Sequence, residues 1–251
     1  MWPTLSVVIP TRNRPHLLRG ALLSLLRQTY PAFEAVVAED GDGEGLGVVE
    51  ALGDPRLRGV WSGGRGQVWA RLAALEAARG DLVLFLDDDD LLLDPAYLYR
   101  VARVLKGGAG VAYSGGLFLT PSQDIPYEPG PLGPWLLKDN RILASGTALS
   151  RKALHDLGGL DPQMGHYWDW DLWLRAYRAG LPFRYLPGPN VGVRVHGENQ
   201  SYGVNLAERR RDLAVLAAKH RLEGLTLKDH MVLARELKEA VDGNSGLLAS
   251  G

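Results

Sequence analysis

The sequence predicts an α/β fold built on a doubly wound, mostly parallel sheet flanked by helices. Three observations predict it. Strand-like apolar runs alternate with helix-like segments over the first hundred residues. The runs are continuous, as in strands buried on both faces, and polar or acidic residues follow them.

Taken in order, residues 5–10 (Leu-Ser-Val-Val-Ile-Pro) form a β-branched run stopped by proline, and residues 11–15 make a polar turn. Leu17, Leu18, Leu22, Leu25 and Leu26 recur at helical spacing over residues 16–28. A strand over 33–38 ends in Glu39-Asp40-Gly41, and a shorter helix is expected over 46–52. A third strand over 58–62 leads through Gly63-Gly64-Arg65-Gly66 to a helix that ends near Ala78. Residues 82–86 (Leu-Val-Leu-Phe-Leu) read as the central strand. Asp94-Pro95 then opens a helix, as cap and first helical residue, that continues to about Lys106. Short right-handed crossovers join such units.

Beyond Gly110 the pattern changes. Residues 111–119 suit a strand, and 120–134, rich in proline and glycine, suit a loop within the domain. A short helix over 151–157 precedes Gly158-Gly159-Leu160-Asp161, and a helix starts around Trp168. Residues 183–186 and 191–195 are two strand candidates. Amphipathic helices over 206–222 and 227–241 precede a frayed end.

Composition narrows the function. A chain of 251 residues with 28 basic and 29 acidic side chains is no general nucleic-acid binder, and the absence of cysteine leaves only oxygen or imidazole to bind a metal. No basic leader or cleavage pattern opens the sequence, and the longest uncharged run, 107–123, is broken by Gly, Ser, Thr and Pro. The expectation is therefore a cytoplasmic protein without a transmembrane segment. The sequon Asn199-Gln200-Ser201 is then a chance match. No Gly-x-Gly-x-x-Gly follows the first strand and no Walker lysine occurs, so phosphates must be held another way.

The four aspartates 87–90 follow the central strand, at the sheet edge where open α/β folds bind ligands. Their mutual repulsion calls for protonation or a cation. The alternative is a solvated acidic turn whose last residue caps the next helix.

Five stretches occur in order: Ser6-Val7-Val8-Ile9-Pro10-Thr11-Arg12-Asn13-Arg14, Glu39-Asp40, Phe85-Leu86-Asp87-Asp88-Asp89-Asp90, Gly158-Gly159-Leu160-Asp161, and Asp169-Trp170-Asp171-Leu172-Trp173-Leu174-Arg175. Together they resemble glycosyltransferase family 2 over roughly residues 5–196. The resemblance implies a GT-A fold over 1–204, with a nucleotide-binding half to about 109 and an acceptor half after it. Residues 205–251 would be a helical extension. It implies inverting transfer from a nucleoside-diphosphate sugar, UDP favoured and GDP or dTDP open, to a saccharide or other hydroxyl acceptor. A divalent cation, manganese or magnesium, would assist.

By position, Pro10, Thr11, Arg12, Asp40 and Arg71 resemble nucleotide contacts, although Arg71 lacks the Asn and Gly that follow it in relatives. The resemblance puts Asp87 on the nucleotide and Asp89 on the metal. Alternation along an extended chain would then turn Asp88 and Asp90 outward, whereas a one-residue slip would exchange the pairs and bring Asp88 to the nucleotide. His196 is implied as a second metal ligand and Asp169 as the base, with N-capping as the competing role for Asp169 and a first-turn dipole role for Asp171. Trp168, Trp170 and Trp173 could desolvate Asp169, with at most one of them facing the acceptor. Ser145-Gly146-Thr147 is a donor-sugar or acceptor loop, and His166 reads as a surface residue. Nucleotidyl transfer and a non-catalytic metal- or sugar-binding module remain open, as does peripheral membrane contact through the basic stretch 206–212.

Overall fold

The computed structural model describes residues 2–108, 110–196 and 206–248, the last nine by backbone alone. The sequon at 199–201, the expected 204/205 boundary and the last three residues fall outside these.

The expected alternation holds through β1 (Leu5–Thr11), α1 (Pro15–Leu26), β2 (Phe33–Glu39), α2 (Glu44–Leu52), β3 (Leu57–Trp61), α3 (Gln67–Ala77) and β4 (Leu82–Phe85). These four strands are parallel, in the order β3-β2-β1-β4. Proline 15 occupies the first turn of α1, where a missing N–H costs nothing. Along the strands, side chains alternate between two cores. Val8, Val36, Val83 and Phe85 face one, with residues of α3, while Val7, Val37 and Leu84 face the other, with leucines of α1.

The remaining strands differ from the sequence expectation. β5 (Asp90–Leu92) begins inside the aspartate run. Helix α4 spans Tyr97–Val104 and starts two residues later than expected. The Asp94 carboxylate accepts the Ala96 N–H at 2.9 Å and pairs with Arg100, which makes a turn of the Asp-Pro segment. Within the expected loop, β7 (Asp124–Tyr127) pairs antiparallel with β6 (Val111–Leu119), and a 3-10 turn covers Pro134–Leu137. A three-residue strand, β8 (Ala148–Ser150), lies antiparallel between β4 and β6. The two late strand candidates are one strand, β9 (Phe183–Arg194), parallel to β6 and kinked by register shifts at Gly115 and Gly116.

Helix α5 (Arg151–Asp156) is capped by Ser150, whose hydroxyl accepts the Ala153 N–H. A 3-10 turn (Pro162–Tyr167) leads directly into α6 (Trp168–Arg178). Helix α7 (Leu206–His220) buries Leu213 and Leu216 beside the α6 tryptophans. Helix α8 (His230–Leu248) buries Met231, Leu233 and Ala234 against Phe118, Tyr127 and Leu143. Among the described residues, no helix is long and apolar enough to cross a membrane.

Candidate active site

The carboxyl ends of β1, β2 and β4 open into a cavity of about 620 Å³, which α3, the 138–145 loop, α6 and the C-terminal helices also wall. Such an edge collects loop residues from several strands, so the site is assembled where the parallel half ends.

The aspartate run is a turn and not an extended segment. Asp90 N–H donates to the Asp87 carbonyl at 3.1 Å, after which the chain enters β5. This overturns the alternation expected for the run. Asp88 turns inward: Thr11 Oγ1 donates to its Oδ2 at 2.7 Å and Arg14 Nη2 lies 2.6 Å from Oδ1. Thr11 is therefore engaged with Asp88. Asp90 is buried as well, and carboxylate oxygens of Asp87, Asp89 and Asp90 lie within 4.8 Å of one another. Neither Asp88 nor Asp90 is solvated.

Burial pushes the Asp88 carboxyl up to about 7 against the pull of Arg14, which is shared with Asp89. Burial, with Asp89 and Asp87 nearby, drives Asp90 well above its ordinary range. One of its oxygens, Oδ1, is buried with no hydrogen-bond partner among the described residues. Three converging carboxylates and an orphaned buried oxygen suit a hard divalent cation. His196 Nε2 stands 3.1 Å from Asp89 Oδ2, at the edge of the cluster.

The nucleotide side is more committed internally than the motifs suggest. Asp40 accepts the Ser62 hydroxyl and the backbone N–H groups of Arg65 and Gly66, at 2.5, 3.0 and 2.8 Å. It thereby holds the loop before α3, where Gly66 takes a φ of +99° that disfavours any side chain. The Arg65 guanidinium sits 3.3 Å from the centroid of the half-buried Trp69 ring, and both line the cavity. Pro10 and the exposed Arg12 line it too. Arg71 is buried, donates to Asp87 and to Gln67, and lies 4.3 Å from the Trp168 ring centroid. The guanidinium thus links the aspartate turn to α6.

Asp169 is the second residue of α6 and not its cap, a position that Tyr167 holds. Asn140 Nδ2 donates to Asp169 Oδ2 at 2.7 Å. Burial raises the carboxyl to about 6 despite this bond and the nearby Arg71. Asp171 is no mere dipole partner, for it is buried among Arg175, Lys219 and His220.

The protein-family model for "Glycosyl transferase family 2" matches residues 6–137. The chain belongs to glycosyltransferase family 2. An uncharacterized glycosyltransferase of Bacillus subtilis, YwdF, is 30% identical over 92% of this chain and 90% of its own length. The Escherichia coli enzyme WfgD, named as a UDP-Glc:alpha-D-GlcNAc-diphosphoundecaprenol beta-1,3-glucosyltransferase, is 28% identical over 67% of this chain and 68% of its own. Among solved structures, S. aureus TarS 1-349 in complex with UDP-GlcNAc aligns with a TM-score of 0.70 at 18% identity, over 86% of this chain and 66% of that one. The mannosyltransferase PcManGT from Pyrobaculum calidifontis, in complex with GDP-Man and Mn2+, aligns at 0.65 with 22% identity, over 89% and 66%. The fold is GT-A, and the chain spans about two thirds of these solved structures. Family membership decides against the nucleotidyl-transfer and non-catalytic readings.

In this glycosyltransferase, several expected contacts fall elsewhere. Gly146 and Thr147 are buried beneath the cavity. Gly146, at φ +83°, would set a Cβ 2.5 Å from Val191, and Thr147 Oγ1 donates to the Leu143 carbonyl at 2.6 Å. Their neighbour Ser145 reaches the cavity and accepts the Asp87 N–H at 3.0 Å. Trp168 and Trp170 line the cavity but are buried, Trp168 against Phe85 and Trp170 through an N–H donated to the Leu136 carbonyl. Trp173 lies wholly in the core. Arg14 stood inside a quoted motif without a role, and Asn140 carried no signal in the sequence.

Proposed function

We propose that this glycosyltransferase moves a sugar from a nucleoside-diphosphate donor to a hydroxyl acceptor with inversion at the anomeric carbon. The observation that carries the reading is one cavity lined by both the aspartate turn and Asp169, a buried carboxyl raised to about 6. A base with that affinity for a proton is ionised at neutral pH yet basic enough to assist. Asp169 accepts the acceptor hydroxyl proton as that oxygen attacks the anomeric carbon; the bond to the diphosphate breaks on the opposite face. Asn140 orients the carboxylate, and Arg71 keeps Asp87 and Trp168 in register.

Asp87, Asp89 and Asp90, with His196 beside them, would hold a divalent cation, manganese or magnesium. When bound it supplies Lewis-acid stabilisation of the leaving diphosphate. Thr11 and Arg14 hold Asp88, and so the turn itself, while Pro10, Arg12, Asp40 and the Arg65–Trp69 pair frame the space for the nucleoside.

UDP-sugar is the favoured donor, in line with the names of WfgD and the TarS complex; GDP and dTDP remain competitors. A saccharide carried on a membrane lipid diphosphate is the favoured acceptor, in line with WfgD and with a Campylobacter jejuni relative named for a PP-undecaprenol acceptor. The enzyme would then work at the cytoplasmic membrane surface by peripheral contact, without nucleic-acid partners.

The test is thermal melting with UDP, GDP and dTDP, each with and without manganese, followed by proton NMR of the product anomer. A rise in Tm that needs both metal and one nucleotide, and a product of opposite anomeric configuration, is expected. Retention of configuration would sink the single-displacement reading.

A further inference from the structure

Building on that reading, we propose that His166 and Asp212 form the acceptor-sugar subsite, the imidazole Nε2 of His166 accepting a hydrogen bond from a non-reacting hydroxyl of the acceptor saccharide. The pair joins two distant parts of the chain. His166 is the penultimate residue of the 3-10 turn before α6, three residues from Asp169, and Asp212 projects from α7. Both line the cavity that holds Asp169.

The geometry pairs one ring nitrogen with Asp212 and leaves the other for a ligand. Asp212 Oδ2 lies 2.7 Å from His166 Nδ1 and accepts the His166 backbone N–H at 3.0 Å. A neutral ring that donates Nδ1–H to that carboxylate keeps Nε2 as an acceptor. Nε2 is not fully buried, and no described residue hydrogen-bonds to it. The imidazole itself is mostly covered, with 14% of the side chain exposed.

The turn is shaped for this contact. Gly165 has a φ of +48°, and a Cβ there would lie 2.2 Å from Asp212 Oδ2. A side chain at 165 would push the carboxylate away from the ring. The sequence alone made His166 a surface residue because its partner lies 46 positions away.

An acceptor nitrogen in the cavity that holds the base suits a polyol. A sugar hydroxyl can donate to Nε2 while another hydroxyl of the acceptor meets Asp169. That would orient the acceptor for attack and discriminate among hydroxyl configurations, as buried hydrogen-bonding groups do.

The experiment uses the full chain with UDP and magnesium, uniformly labelled with ¹⁵N-histidine, and methyl hexopyranosides of gluco, galacto, manno and N-acetylgluco configuration as probes. At least one sugar should move the His166 Nε2 resonance. In transfer assays with UDP-sugars, His166→Ala should raise the KM for that sugar roughly tenfold, the value of one hydrogen bond to a buried group. His166→Gln, whose carbonyl can still accept, should recover part of it. A purely structural role predicts a lowered kcat or Tm in both variants and no selective rise in acceptor KM, and that result overturns the proposal. So does a panel in which no sugar perturbs His166, or a glycosylated sugar whose KM is the same in His166→Ala. Absence of metal-dependent stabilisation by any nucleotide would instead remove the donor reading, and this proposal with it.

Discussion

Asp169 and Asp171 leave the same turn of α6 into opposite surroundings. Two positions along a helix separate side chains by about 200°, so one aspartate faces the cavity and the other faces α7. Both are buried. The Asp169 carboxylate has a neutral amide, Asn140, as its close partner, and burial raises it to about 6. Burial also works against the charge of Asp171, but His220 and Lys219, each at 2.7 Å, and Arg175, whose Nε donates at 2.9 Å, hold it far below the ordinary carboxylate range. Burial alone therefore does not make a base. The charge of the partners decides whether a buried carboxylate is reactive or is spent on holding helices together.

The largest effect that could break this contrast is on turnover. Asp169→Asn should lower kcat by about 10²–10⁴-fold, the usual worth of a general base, while metal-dependent nucleotide binding persists. Undiminished transfer would remove Asp169 as the base. The same variant should also be more stable than the parent at pH 7. Because the folded carboxyl binds its proton more tightly than the unfolded one, stability falls as pH rises from about 4 to about 6 and stays lower above that. An amide avoids the penalty, worth on the order of 1–3 kcal/mol, and the gain should appear as a raised Tm.

Asp171→Ala should do the reverse. Removing it strands Arg175, Lys219 and His220 around a buried gap, a loss of about 3–5 kcal/mol by analogy with broken buried ion pairs. The depressed carboxyl contributes stability above the unfolded value near 4, and this is lost as pH falls through the lower folded value. Melting of the parent and the variant should therefore converge in strong acid. If Asp171→Ala melts like the parent at pH 7, the cluster does not fasten α7 to α6.

The same division explains what could be read from residues alone. The parallel half was legible because strands buried on both faces are unbroken apolar runs, and Val8, Val37 and Leu84 sit in such runs. β5 and β8 were not, since three residues carry no period. The aspartate turn misled for a related reason: alternation presumes an extended chain, and the bond from Asp90 N–H to the Asp87 carbonyl ends that extension. Asp169 was visible through its motif. Asn140 and Asp212 were not, because they reach the cavity from a loop and from a helix whose local pattern reflects only their own packing.

The smallest effect isolates Asn140, whose side chain hydrogen-bonds the Asp169 carboxylate. The 138–142 loop that carries it is pinned from two sides: Tyr127 donates its hydroxyl to the Arg141 carbonyl at 2.7 Å, and Lys228 Nζ lies 3.0 Å from Asp139 Oδ1. Truncating the amide should therefore leave the backbone in place. Its donated hydrogen bond favours the charged carboxylate, so Asn140→Ala should raise the Asp169 carboxyl further. The acid limb of the kcat/KM profile, near pH 6 in the parent, should move up by roughly one unit, since a hydrogen bond to a charged group is worth about 1.5 kcal/mol. The loss should approach roughly tenfold below pH 6 and vanish above about pH 8. A uniform loss across the profile would instead mean that Asn140 shapes the pocket without tuning the base. The contrast between the two faces of α6 would then rest on burial and the Asp171 cations alone.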